Sequence, residues 1–273
     1  VRGNSPFGLL WRIEGVDVYN PNHFADGGAT GGAISMLNVN TLSNSDFYTS
    51  AFPAEYMNAY SGVFDIRLRE GNYDKHEFTG QIGINGVEVG VEGPISKKLK
   101  ASYMASYRYS FLGVLAYLGF DFGTGSAVPT YQDWTAKINI PLKKGGTLSF
   151  FTLGGLGDIS MENGESGFYT YADDIASQSS MAVAGVQYQK PIGHNQSIKI
   201  SLASSYSSFA AQIDSLNPVS LLKEPSQDAL LMREFQTLQA VHNVKFNSKL
   251  SMRSGLSGKR LAYKFIFPCR SLK

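Results

Sequence analysis

From about residue 75 onward, apolar and polar residues alternate one for one in a long series of segments, and this pattern limits the fold more than any other feature. Successive side chains of a strand point to opposite faces, so each segment reads as a β-strand with one apolar and one polar face. Residues 76–85 place Phe78, Gly80, Ile82 and Ile84 on one track and Thr79, Gln81 and Gly83 on the other. Residues 87–91 set Val87, Val89 and Val91 against Glu88 and Glu92, and residues 100–109 set Ala101, Tyr103, Ala105, Tyr107 and Tyr109 against Lys100, Ser102, Ser106 and Arg108. Residues 131–142 oppose Trp134, Ala136, Ile138, Ile140 and Leu142 to Thr135, Lys137 and Asn139. Further strands are expected at residues 147–156, 181–190, 197–212, 235–246 and 250–256, with a tenth beginning at 261–267. Most run about ten residues, the length a tilted strand needs to cross a bilayer.

The links between strands carry a second signal. Residues 94–99, 143–146, 191–196 and 247–249 are short, whereas residues 110–130, 157–180 and 213–234 are long and polar. Asn85-Gly86 reads as a two-residue hairpin turn. Alternation alone also fits a half-exposed antiparallel sheet in water. Strict alternation of short and long links, however, collects all long links at one end, as an outer-membrane barrel does and a soluble sandwich has no reason to do. The apolar tracks end in Tyr107, Tyr109, Tyr188 and Phe246, which suit interfacial girdles, and the polar tracks carry Lys100, Arg108, Lys137, Asn139, Lys199 and Lys245, which suit a wet lumen. The expected fold class is therefore an all-β membrane barrel, present as about nine or ten antiparallel strands over residues 73–273.

Residues 1–72 obey different rules. Residues 9–18 suggest a strand, a Glu14-Gly15 turn and a second strand, and Asn20-Pro21-Asn22-His23 is turn chemistry. Gly27-Gly28-Ala29-Thr30-Gly31-Gly32 is a flexible loop or a place of close backbone packing. A short helix is expected at residues 34–42 and a strand at 45–49, which makes this a small α/β unit. Residues 50–72 then feed a strand at 63–69, where Arg67 and Arg69 share the polar face with Asp65, and Glu70 follows. These charges are either ordinary solvated groups or contacts between the first unit and a barrel wall; the position of the unit, directly before the first barrel strand, favours contacts.

Sites of chemistry are absent from the sequence. A net charge of +2 with 17% charged residues offers no basic face for nucleic acid. The single Cys269 excludes an intramolecular disulfide framework and a thiolate metal cage. His23, His76, His194 and His242 are scattered without metal-binding spacing, so neither metal nor cofactor is expected. There is no phosphate loop or nucleophile elbow. A soluble all-β carbohydrate-active enzyme would need paired carboxylates, whereas the long links carry only scattered acids such as Asp158, Glu162, Asp173 and Asp174. No enzyme is expected. Gly154-Gly155 reads as close packing or a bulge. The chain starts at Val1 and breaks off its alternation in Phe267-Pro268-Cys269-Arg270, so it is expected to be a piece of a longer protein.

Val1-Arg2-Gly3-Asn4-Ser5 with Ile13-Glu14-Gly15-Val16, then Ser45-Asp46-Phe47-Tyr48, Phe52-Pro53-Ala54-Glu55-Tyr56 and Ser61-Gly62-Val63-Phe64-Asp65-Ile66-Arg67, resemble the plug-domain pattern of TonB-dependent outer-membrane receptors. The Phe-Pro-Ala-Glu-Tyr and Asp-Ile-Arg pieces look like a sub-branch often grouped with receptors carrying a carboxypeptidase-regulatory-like extension. Ser50 departs from the usual Gly, and Met57-Asn58 from the usual Gly-Gly or Gly-Arg. The resemblance covers residues 1–72 by motif and the rest by strand pattern only. It implies a barrel of about 22 strands filled by an N-terminal plug, of which residues 1–72 are the C-terminal part. It further implies location in the bacterial outer membrane among its lipids and energised uptake of a nutrient ligand of unknown identity, such as a siderophore, glycan or peptide. The drive would come from the inner-membrane TonB complex through a segment upstream, and a surface lipoprotein is a candidate partner. In this picture Glu55, Asp65, Arg67, Arg69 and Glu70 hold plug to barrel. A structural or adhesive outer-membrane barrel without energised uptake is the alternative.

Overall fold

A computed structural model describes residues 8–24, 31–32, 34–57, 59–83, 86–113, 118–119, 129–143, 145–161, 174–216 and 223–267. The motif at residues 1–5, most of the Gly27–Gly32 loop, and Asn85, Glu162, Asp173 and Cys269 lie outside these residues. Strand β1 (Leu9–Ile13) turns at Glu14 (φ +54°) and Gly15 (φ +82°) into β2 (Val16–Val18). Strands β3 (Asn22–His23) and β4 (Ile34–Ser35) pair with each other, and β5 (Asp46–Tyr48) and β6 (Gly62–Ile66) join the first hairpin in a sheet of order β2-β1-β6-β5. In that sheet β6 runs parallel to β1, with Leu9 opposite Gly62 and Ile13 opposite Ile66.

The helix expected at residues 34–42 does not form. Its place is taken by β4 and a 3-10 turn at Val39–Thr41. Side chains there compete for the backbone: Leu37 N donates to Ser35 Oγ, Asn40 N donates to Asn38 Oδ1, and Thr41 Oγ1 donates to Asn38 O. Such local bonds displace a helical ladder. Among the described residues the first unit holds no α-helix, so its expected α/β character is corrected to β.

The rest is one antiparallel meander. Strands β7 (Glu77–Gly83), β8 (Gly86–Ser96), β9 (Ala101–Tyr109), β10 (Thr130–Pro141), β11 (Thr147–Met161), β12 (Asp174–Ile192), β13 (Gln196–Leu216), β14 (Lys223–Lys245) and β15 (Ser251–Ile266) pair in chain order. Residues 250–256 and 261–267, expected as two strands, are one: Leu256 through Leu261 stay in unbroken register with β14. Strands β12 to β14 reach 19, 21 and 23 residues, so much of the long links is hydrogen-bonded ladder. Ladder bonds satisfy the backbone whether or not the side chains are apolar, which is why hydropathy did not mark these extensions. Strand β8 also runs through Gly93-Pro94, with its register shifting between Pro94 and Ser96, a bulge where a proline is tolerated.

The faces of this sheet are inverted relative to a water-soluble protein. One face buries Ser102, Asp133, Thr135, Lys137, Asn139, Ser149, Gln187, Ser201, Ser205 and Thr237. The other exposes Ile138, Phe150, Ile200, Leu202 and Leu238, the last two at 59% and 58%. The buried polar face curves around the N-terminal unit. Hydrogen bonds from that unit reach Glu88 on β8 and Lys259 on β15. A flat sheet would hold those strands roughly 34 Å apart at about 4.8 Å per strand, too far for so small a unit. The packing core lies between the two: Trp11, Ile13, Val16, Val18 and Met36 against Phe151, Leu153, Met181, Val183 and Ala203.

Candidate functional site

The interface between the N-terminal unit and the concave wall is where the buried charges meet. At its centre is the β1–β2 turn. Glu14 Oε1 accepts from Lys137 Nζ of β10 at 2.9 Å and from Leu68 N at 2.7 Å, while Lys137 Nζ also donates to Leu68 O at 2.8 Å. Both side chains are buried, at 7% and 9% exposure. Gln187 Nε2 of β12 donates to the Glu14 carbonyl, so the turn is fixed through side chain and backbone. The other strand of the hairpin is held by Asp17, which pairs with Lys259 of β15 and, at 3.2 Å, with Arg12. Tyr19 lies with its ring centroid 3.6 Å from the Arg233 guanidinium of β14.

A second cluster pins β3 and β4. His23 is fully buried and its Nε2 bonds Asp133 Oδ1 of β10; Arg108 of β9 takes the other carboxylate oxygen, with Nε at 2.7 Å, and donates to the Ser35 carbonyl. The His23 ring fits only because β11 has no side chain there. A Cβ on Gly155 would sit 2.8 Å from His23 Cε1, and one on Gly157 2.8 Å from its Nδ1. The glycines that read as close packing in the sequence thus form the notch for a histidine. Beside it, Asn38 Nδ2 donates to Glu88 Oε1 at 2.7 Å and to Ser106 Oγ at 2.8 Å, and Asn40 Nδ2 to Glu88 Oε1 at 2.9 Å.

The five charges singled out in the sequence divide. Arg69 grips Glu92 of β8 with Nη1 at 2.6 Å and Nη2 at 2.7 Å, and Asn72 N donates to the same carboxylate at 2.8 Å. The Glu92 carboxylate pushes the Arg69 guanidinium above its ordinary pKa. Glu55 pairs with Arg253 of β15 at 2.8 Å and with Arg12 at 3.3 Å. The other three make no wall contact among the described residues. Asp65 accepts from Tyr56 Oη at 2.9 Å inside the unit, and Arg67 reaches Asp46 at 3.4 Å and Asp65 at 3.7 Å. Glu70 is exposed. The reason is geometric: Asp65 and Arg67 line the cleft that separates this part of the unit from the wall, while Ile66, on the other face of β6, packs into the core. Burial, and then the bond to Asp65, push the Tyr56 phenol far above its ordinary range.

Sequence reading missed Glu14, Asp17, His23 and Asn38. The usable signal was on the wall, where Glu88, Glu92, Arg108, Asp133 and Lys137 sit on the track opposite the lipid-suited residues. Buried charges on a lumenal track need partners, and the preceding unit is the nearest source.

Below the β1–β2 turn, toward the short-link end of the wall, a polar cleft of about 680 Å³ opens between the two parts. Lys199, Gln187, Gln189, Gln239 and Asn243 line its wall side, and Arg67 lines the opposite side. Among the described residues no group of His, Cys, Asp and Glu is arranged to hold a metal ion.

No family model and no curated protein matches the chain. Among solved structures it is similar to a mutant of the ferric enterobactin receptor of Pseudomonas aeruginosa in complex with enterobactin, at 11% identity and a TM-score of 0.44, over 97% of this chain and 52% of that one. It is also similar to the siderophore receptor PirA of Acinetobacter baumannii, at 12% identity and a TM-score of 0.46, over 97% of this chain and 51% of that one. The chain spans about half the length of both.

Proposed function

We propose that this chain is the C-terminal part of a plug (residues 1–72) and the first nine wall strands (residues 73–273) of a TonB-dependent outer-membrane receptor that carries a nutrient ligand by energised uptake. The observation that supports it best is the inverted sheet: polar residues buried toward a charged, docked N-terminal unit, and Leu202 and Leu238 turned outward. Apolar residues facing out and polar residues facing a lumen are the arrangement a bilayer selects. The open edges of β7 and β15 would leave backbone groups unpaired in lipid, so further strands must complete the wall.

In this reading the unit is held by the apolar core it shares with the wall and, around that core, by several separate polar contacts. The Arg69–Glu92 and Glu55–Arg253 pairs are partly wet, and wet pairs are individually weak. That suits a plug that must stay shut at rest and shift under force. The experiment is crosslinking in cells between the full-length receptor and TonB. Crosslinks that depend on the segment upstream of residue 1 support uptake. Their absence, with the barrel correctly assembled, would favour a structural or adhesive barrel instead.

A further inference from the structure

Among the described residues, Lys199 is the cation of the cleft that has no carboxylate within ion-pair distance. It rises from β13 beneath the β1–β2 turn, its Nζ 3.7 Å from where a Cβ on Gly15 would lie. Across the cleft it faces Glu14, Lys137, Asp65 and Arg67. Both carboxylates are already engaged: Glu14 by Lys137 and Leu68 N, and Asp65 by Tyr56 and Arg67. Each remaining cation of the cleft has a carboxylate within 4 Å: Arg12 has Asp17 and Glu55, Arg67 has Asp46 and Asp65, Arg69 has Glu92, Lys137 has Glu14, and Arg253 has Glu55. Lys199 has none among the described residues.

A half-buried ammonium without a counter-charge is costly unless something anionic completes it. The surroundings are built to receive a polar group. Gln189 and Gln239 offer amide N–H donors near Lys199, and Arg67 brings a half-exposed guanidinium from the facing side. A guanidinium and an ammonium flanked by amides form the donor set that binds phosphate and carboxylate oxygens. The volume is several times that of one oxyanion, which leaves room for a small organic body behind it.

We propose that this cleft binds a small organic anion, a phosphate ester or carboxylic acid, whose charged head sits between Lys199 and Arg67. The proposal rests on the plug-and-wall arrangement and not on energised uptake. Its test is binding to the full-length receptor in detergent, followed by calorimetry with inorganic phosphate and with glycerol 3-phosphate, using glycerol as the uncharged control. Saturable binding of both phosphates but not of glycerol is expected. Lys199→Gln should weaken it by about tenfold or more, the loss of one charge-assisted contact, while Lys199→Arg retains most of it. Lys98→Gln, on the exposed turn after β8, should leave it unchanged. Absence of saturable phosphate binding, or equal binding by wild type, Lys199→Gln and Lys98→Gln, would overturn the site. Either of those results with TonB crosslinking intact would leave the receptor reading standing.

Discussion

Glu14 is the most exacting test of how the N-terminal unit is held. Glu14→Ala removes the acceptor for both Lys137 Nζ and Leu68 N, leaving a buried ammonium with one carbonyl and a backbone N–H with no partner. Breaking a buried ion pair by deleting one partner costs about 3–5 kcal/mol. The cleft beneath the turn lets water reach part of the site, so the low end applies, about 3 kcal/mol. At 1.4 kcal/mol per decade, the population of the undocked hairpin then rises about a hundredfold. Hydrogen exchange of the full-length protein in detergent reads this directly as loss of protection over β1 and β2, the units that open locally being resolved by their separate free energies. A double substitution, Glu14→Ala with Lys137→Met, removes the stranded charge as well and should recover most of the protection. Unchanged exchange in Glu14→Ala, or a double variant as exposed as the sum of the singles, would refute the reasoning.

Three further outcomes follow from the same contacts. Arg69→Ala should loosen residues 67–72 by about 1–2 kcal/mol, because the Glu92 pair is bidentate but partly wet; limited proteolysis there should quicken, and Arg67→Ala should have a smaller effect. Gly155→Ala should expel the His23 ring, since its Cβ would lie 2.6 Å from Asp133 Oδ1 and 2.8 Å from His23 Cε1; increased exchange at β3 with the wall strands unaffected is the expected pattern. Tyr56 has a folded-state pKa raised above its ordinary 10.0, so the protonated phenol is what the fold favours. Its contribution is therefore complete below about pH 10 and is lost as the pH rises beyond it. Alkaline titration should release the first unit more steeply in wild type than in Tyr56→Phe.

The wall was legible in the sequence because a sheet with one outward apolar face and one inward polar face imposes period two along every strand. Where the alternation failed, a second apolar partner was responsible. Phe150 and Phe151 are adjacent and both apolar; the first faces outward and the second packs against the N-terminal unit. Leu153, Met181 and Val183 likewise interrupt the lumenal track because the unit covers them. The unit itself was harder to read. The Glu14-Gly15 hairpin announced itself through its turn residues, but the parallel pairing of β1 with β6 joins segments about 50 residues apart, and no local pattern specifies it. The residues 34–42 look helical in apolar spacing alone, and Ser35, Asn38 and Thr41 decide otherwise by bonding to the backbone. Of the charged contacts, Arg69 sat on the polar face read for residues 63–69, and Glu55 came in only with the resemblance to plug domains. His23 could be found only by knowing that two glycines on β11 leave space for it.

The central claim is that the inverted sheet is a membrane wall around a polar lumen. Nitroxide labels on single cysteines of the full-length protein in bilayers, with all native cysteines replaced, test it most directly. Labels at Leu202 and Leu238 should be relaxed by lipid-dissolved oxygen and not by a water-soluble nickel chelate, and a label at Gln239 should not show the lipid signature. The reverse pattern, or equal access of the chelate to all three positions, would contradict the account.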